Sequence, residues 1–303
     1  MNRQDVTRAL IELAVDQGIK NMQADSHRSV RRMADLGKQF ARGRFQTEIF
    51  SLFQRLLARE DSPYYDMIDR LLANTEIAAV KRFGINAAYN GWTYGASLLR
   101  QRKAETGIEL PWLLTFSWNP CANGALTLQD ISSLITENRK NGTYCYAIRV
   151  RESLLDDVSI FRLSEKFPDC VFVLDLSDTD CHFTERQLSE VKNCANLMTL
   201  LPCESPGCER LASELLKQKS LFAVSCHYQE ENIDGSFAEG LVEKLLSYGS
   251  VIICLISGKR CSAESRKKAA DFVLNARMEQ KFPAILLEWN SDVERVNQII
   301  YHE

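Results

Sequence analysis

The chain has no apolar run of the roughly 18 to 20 residues that a membrane-spanning helix needs. Its opening, M-N-R-Q-D-V-T-R, has no signal-peptide hydrophobic core. Both absences lead to the expectation of a cytoplasmic protein with no membrane partner. None of the 10 cysteines stands before Cys121, and no two of them form a C-x-x-C pair. Without a secretory signal, reduced thiols are expected rather than disulfides. No G-x-G-x-x-G or G-x-x-x-x-G-K-S/T follows an apolar run, and there is no serine elbow and no H-E-x-x-H. The common nucleotide-phosphate, esterase and zinc-protease devices are therefore excluded. A strong excess of positive charge is also missing. The net charge is −3, which speaks against nucleic acid as a partner.

What is present is ordinary in bulk and uneven in layout. Of 303 residues, 45% are apolar and 25% charged, the balance of a globular chain. Before residue 110 basic side chains slightly outnumber acidic ones, and afterwards the order reverses. The leader reads as successive helices: Asp5 to Met22, one opened by Asp25 or Ser26 and stopped by Gly43, Gln46 to Arg59, one from Ser62-Pro63 to Leu72, one from Thr75-Glu76 to Gly84, and Trp92 to Lys103. In the second of these Val30, Met33, Leu36 and Phe40 share one side and Arg28, Arg31, Arg32, Lys38 and Arg42 the other. A basic stripe interrupted by Asp35 is most simply a solvated face, with phosphate contact in nucleic acid as the sharper alternative. No linker rich in Pro, Gly or Ser follows, so residues 1–109 are expected to form a helical region packed on what comes next. Trp92, Tyr94 and Trp112 are expected to anchor that junction.

From Pro111 onward short apolar runs alternate with amphipathic segments. Strands are expected at Trp112 to Phe116, Tyr144 to Val150, Val171 to Leu176, Leu197 to Leu201, Leu221 to Ser225, Val251 to Ile256 and Ala284 to Glu288. Helices are expected near Leu128 to Asn138, Leu154 to Lys166, Glu185 to Lys192, Glu209 to Lys217, Phe237 to Leu246 and Ala263 to Gln280, with caps at Thr127, Thr184 and Ser262. Near-continuous apolar strands, each followed by a helix, predict an α/β fold of parallel strands buried on both faces. Periodicity alone leaves an open sheet and a barrel equally available.

Several phrases resemble one family. They are M-A-D-L-G-K-Q-F-A-R-G-R-F (residues 33–45), G-I-N-A-A-Y-N-G-W (84–92), L-T-L-Q-D-I (126–131), F-P-D-C-V-F-V-L (167–174) and F-A-V-S-C-H-Y (222–228). In order and spacing they resemble the radical S-adenosylmethionine enzymes, in particular a bacterial branch with a helical leader. The resemblance implies a partial parallel (β/α) barrel of about six or seven strands over residues 110–303. It also implies a C-x-x-x-C-x-x-C loop after the first strand that holds a 4Fe–4S cluster, whose open iron takes S-adenosylmethionine. This chain departs from that pattern. Trp118 stands at the first cysteine position, Asn119 persists, and Cys121 is alone nearby. The G-G-E phrase that would receive the cofactor's amino group corresponds to Val150-Arg151-Glu152, and Arg151 puts a side chain where glycine would allow close approach.

The expectation is therefore a catalytically degenerate relative, a pseudoenzyme that binds a small polar ligand or a protein partner. Its mouth would be lined by Trp118, Asn119, Glu152, Ser177, Asp178 and His227. No catalytic residue, no metal and no cofactor is expected, with S-adenosylmethionine bound without a cluster as the alternative. A second copy or an active radical S-adenosylmethionine relative is the expected protein partner. The rival reading is a metalloenzyme with a relocated zinc or iron–sulfur site at Cys203, Cys208, Cys226 and His227. Packing is the more common role of buried free cysteine. An acid–base use of His182 beside Asp178 and Asp180 has no identifiable nucleophile to serve.

Overall fold

The computed structural model describes residues 3–22, 26–40, 44–120, 122, 124, 126–154, 157–230 and 235–302. The leader forms helices α1 (Arg3–Met22), α2 (Ser26–Phe40), α3 (Arg44–Leu56), α4 (Pro63–Asn74) and α5 (Ile77–Ile85). A π-helix (Asn86–Gly95) then runs straight into α6 (Ala96–Thr106). Ser62 caps α4, its hydroxyl accepting from Tyr64 N at 3.3 Å, and Pro63 fills the first helical position where no amide proton is needed. The sequence places the last leader helix at Trp92 to Lys103. The wider turns of the π-helix extend it back to Asn86, for a reason given below.

Seven strands follow: β1 (Leu113–Trp118), β2 (Cys145–Arg151), β3 (Val171–Asp178), β4 (Leu197–Pro202), β5 (Phe222–Tyr228), β6 (Ile252–Ser257) and β7 (Ile285–Glu288). Between and after them lie α7 (Leu128–Asn141), a 3-10 turn (Ser159–Phe161) with α8 (Arg162–Lys166), α9 (Glu185–Asn193), α10 (Cys208–Lys217), α11 (Gly235–Leu246), α12 (Ala263–Glu279) and α13 (Trp289–Tyr301). The predicted caps form. Thr127 with Asp130 and Thr184 with Gln187 make reciprocal capping boxes, and the Ser262 hydroxyl accepts from Ser265 N. The helix expected over Leu154 to Lys166 is shorter, because the Asp157 carboxylate takes the Ser159 amide at 2.7 Å and starts the turn afresh there. Helix α13, which the sequence reading leaves as coil, is capped by the Glu288 carboxylate on Ser291 N at 2.6 Å.

All seven strands are parallel and lie in chain order, β1 to β7, without reversal. This order decides between an open doubly wound sheet and a barrel. Right-handed crossovers that always step the same way put every connecting helix on one face. The sheet curls with those helices outside and becomes a partial (β/α) barrel, β1 and β7 being its two edges. The alternation of side chains follows. Tyr146, Ile148, Phe172, Leu174, Leu201 and Val224 face the helical layer in the main core, while Ala147, Val173, Met198, Leu200, Ala223 and Cys254 fill the concave side.

The leader closes one end of this barrel. Asn86 Nδ2 donates to the carbonyls of Pro168 and Cys170, both at 2.9 Å, and Asn90 Nδ2 to that of Asp169 at 2.7 Å, all just before β3. Glu76 N reaches Lys219 O ahead of β5, and Tyr64 Oη reaches Arg277 O ahead of β7. Leu71 of α4 and Phe83 of α5 pack against the concave apolar cluster. The π-helix supplies the close approach. A Cβ on Gly95 would sit 2.3 Å from Gly142 O, so only glycine fits against the turn that precedes β2. Trp92 and Trp112 meet edge to face at 6.0 Å, and Trp112 Nε1 donates to Val293 O of α13 at 2.9 Å. Helix α13 thereby crosses from β7 back toward β1. With the amino-terminal strand ends covered, the carboxyl-terminal ends form the mouth.

Candidate functional site

The mouth is built by strands that turn polar in their last residues. On β2, Arg149 and Arg151 stand two apart and therefore share the concave side. Arg149 pairs with Asp175 of β3, Nε to Oδ2 at 2.6 Å, and Arg151 pairs with Asp178. Their partners stand three apart, and the register shift between Arg149 and Arg151 absorbs the extra residue, bringing Asp178 opposite Arg151. Arg151 Nε also donates to Ser117 Oγ of β1 at 2.9 Å. Ser177 N and Oγ both donate to Asp175 Oδ1, which fixes the carboxylate that Arg149 holds.

On the other side of the mouth the loop after β4 brings Glu204 against β5. Its carboxylate accepts the His227 amide, and Oε2 lies 3.7 Å from His227 Nδ1. Burial works to raise the Glu204 carboxyl, but hydrogen bonds from the His227 side chain and amide outweigh it and hold it below the usual range. The same hydrogen bond raises the His227 imidazole, against the opposing effect of burial. The mouth thus presents matched cation–anion pairs around a concave apolar floor, with Asp178 and Glu204 exposed and Arg149, Arg151 and His227 half-buried.

Of the six predicted pocket residues, Ser177, Asp178 and His227 come together here. Trp118 does not line the mouth: at 3% exposure it faces the helical layer beside Phe116, because it falls in the outward register of β1. Asn119 is half-buried in the loop that follows, and Cys121 lies outside the described residues. Glu152 is exposed and takes a left-handed φ of 68°, a conformation that costs a non-glycine residue about 1 kcal/mol or more. Sequence reasoning missed Arg149, Asp175 and Glu204. The signal for the first two was there: a charged residue inside an otherwise apolar strand, in A-I-R-V and V-L-D-L.

The cysteine set also regroups. The Sγ atoms of Cys203 and Cys226 and a Glu204 carboxylate oxygen lie within 4.8 Å of one another. Cys208 instead belongs to the main core at 1% exposure, and burial pushes its thiol up to about 12. Cys226 is raised as well, first by the hydrogen bond with Cys203 and then by burial. In the leader, Arg31 sits over the Tyr65 ring and 4.0 Å from Glu60, while Arg42 lies outside the described residues. Among the described residues no helix is long and apolar enough to cross a membrane.

No protein-family model matches the chain, and no curated protein matches it. Among solved structures the chain is similar to Streptococcus suis SuiB bound to S-adenosylmethionine, at 10% identity and a TM-score of 0.49, over 62% of this chain and 49% of that one. The chain thus spans about half the length of SuiB.

Proposed function

We propose that this protein is a radical S-adenosylmethionine-like partial barrel that has lost the radical chemistry and uses its mouth to bind a small zwitterion, in the way a binding or regulatory protein does. The observation that carries the reading is the arrangement of Arg151, Asp178 and Ser117. A guanidinium and a carboxylate stand side by side on adjacent strands, 41% and 38% exposed, held in place and open to solvent. An α-amino-acid head group carries the complementary pair, a carboxylate for the Arg151 guanidinium and an ammonium for Asp178. Because Ser117 and the strand register already hold the two side chains in place, little ordering is needed when the zwitterion exchanges for their mutual pairing.

The loss of chemistry rests on sequence and packing. The loop after β1 lacks three cysteines at cluster spacing, and the residue at the first of those positions is the buried Trp118. One thiolate does not hold a cluster that needs three.

The test is calorimetry on anaerobically purified protein with S-adenosylmethionine and free amino acids, beside Arg151→Ala and Asp178→Ala. Expected are binding to the wild type, binding reduced at least tenfold in either variant, and no iron retained after cluster reconstitution. Heat that is absent for every zwitterion, or unchanged in both variants, overturns the ligand reading. A full complement of iron and sulfide overturns the loss of chemistry.

A further inference from the structure

We propose that Cys203, Glu204 and Cys226 form a three-residue zinc site at the rim between β4 and β5, with the fourth position of the tetrahedron open to water. Three features of the chain meet there. Cys203 follows directly on Pro202, the last residue of β4, and its amide donates to Ser225 O at 2.8 Å, so its backbone is tied to β5 beside Cys226. Glu204 is fixed by the amide of His227 through one oxygen, which leaves Oε2 directed at His227 Nδ1. Finally, the two sulfurs and a carboxylate oxygen already lie within 4.8 Å of one another. A tetrahedral ion with Zn–S bonds of about 2.3 Å sets its sulfurs roughly 3.8 Å apart, so a small inward rotation of the side chains brings all three donors onto one ion.

Donor chemistry chooses the ion. Two thiolates with a carboxylate make a mixed S and O set. That set suits zinc better than magnesium or calcium, which take oxygen ligands. It is too poor in thiolate for an iron–sulfur cluster. Cys203 is the one described cysteine that is not buried, and it gives an ion its way in. On binding, the protons of both thiols leave to solvent and two thiolate–metal bonds form. The site differs from the grouping suggested by sequence spacing alone, because Cys208 points into the core and Glu204 takes its place. It is also distinct from the zwitterion site, which needs Arg151 and Asp178 and neither cysteine.

The experiment is metal analysis and titration of the full chain under reducing, oxygen-free conditions, using zinc, and cobalt as a spectroscopic stand-in. Expected are one equivalent of zinc and a thiolate-to-cobalt charge-transfer band in the near ultraviolet. Cys203→Ser and Cys226→Ser should each weaken zinc binding about a hundredfold or more, while Cys208→Ala keeps the stoichiometry. The cobalt band is read on wild-type protein, so the result does not depend on any variant folding. Zinc below a tenth of an equivalent overturns the proposal. So does a cobalt complex without the thiolate band, or binding that survives both serine substitutions. If Arg151→Ala loses the zwitterion and keeps zinc, the two readings stand or fall apart.

Discussion

Arg149→Met isolates what holds the mouth together. The Arg149 guanidinium is about one-third exposed, but the Asp175 carboxylate it faces at 2.6 Å is only 6% exposed. Breaking a buried pair by removing one partner typically costs about 3 to 5 kcal/mol, since the remaining charge stays buried without compensation. Here the cost falls to the bottom of that range or just below it. Arg149 is partly hydrated, and the Ser177 amide and hydroxyl still serve Asp175 Oδ1 after the substitution. The expected loss is about 2 to 3 kcal/mol. Adding Asp175→Asn removes the stranded charge and keeps an acceptor for Ser177, so the double variant should recover most of that loss. Urea denaturation followed by circular dichroism measures both, with the midpoint shifting at unchanged slope, and the double-mutant cycle gives the coupling directly. A single variant within about 0.5 kcal/mol of wild type, the range of an ordinary surface change, would refute the argument. Asp175 would then be hydrated rather than held by Arg149.

Three further outcomes follow from the same geometry. Gly95→Ala should destabilise by about 1 to 3 kcal/mol, because its Cβ meets backbone rather than a movable side chain. Gly84→Ala, with nothing within 4 Å, should stabilise by about 0.5 to 1 kcal/mol, and urea melts of the pair check both signs. Hydrogen bonds from the Thr127 hydroxyl and amide hold the Asp130 carboxyl below the usual range. A carboxyl whose folded pKa is depressed stabilises above its unfolded pKa and loses that contribution as pH falls through the folded value. The melting temperatures of wild type and Asp130→Ala should therefore differ at neutral pH and converge as pH drops through the carboxylate range. In a Cys121→Ser background, alkylation of the native, metal-free protein followed by peptide mass spectrometry should label Cys203 well before any other cysteine, the rest of the described thiols being buried. Cys208 labelled equally fast would contradict the placement of that side chain.

Much of the fold could be read from the sequence because local and global signals agreed. Ser62-Pro63, the Thr184 and Gln187 box and Ser262 start helices by chemistry confined to four residues, and that chemistry works the same in any tertiary setting. The strands were legible because helices cover one face while leader and sheet cover the other. The π-helix was not, since it depends on Asn86 and Asn90 finding carbonyls nearly eighty residues or more away, at Pro168 to Cys170. Helix α13 escaped for a similar reason: its cap is the last residue of a strand. At the mouth, spacing grouped Cys208 with Cys203, Cys226 and His227, whereas the fold brings Glu204 beside Cys203 and Cys226. Nothing local says that the residue opening α10 turns inward, or that the one after Cys203 reaches across to the next strand.

The two ends of the barrel explain why a mouth so rich in charge is tolerated. Paired charges at strand ends are costly when water is excluded from both sides. Among the described residues the leader covers the amino-terminal end, with Leu71 and Phe83 packed against the concave cluster and the π-helix clamped on the turns before β2 and β3. Stability is thus gathered at the floor, and the carboxyl-terminal ends stay half-hydrated, so that Arg151, Asp178 and Glu204 keep part of their solvation while standing in fixed register. Trp118 belongs to the same division. Its side chain extends the apolar helical layer up to the last residue of β1. Trp118 therefore contributes packing, and the polar side chains of the mouth come from β2, β3, β5 and the loop after β4.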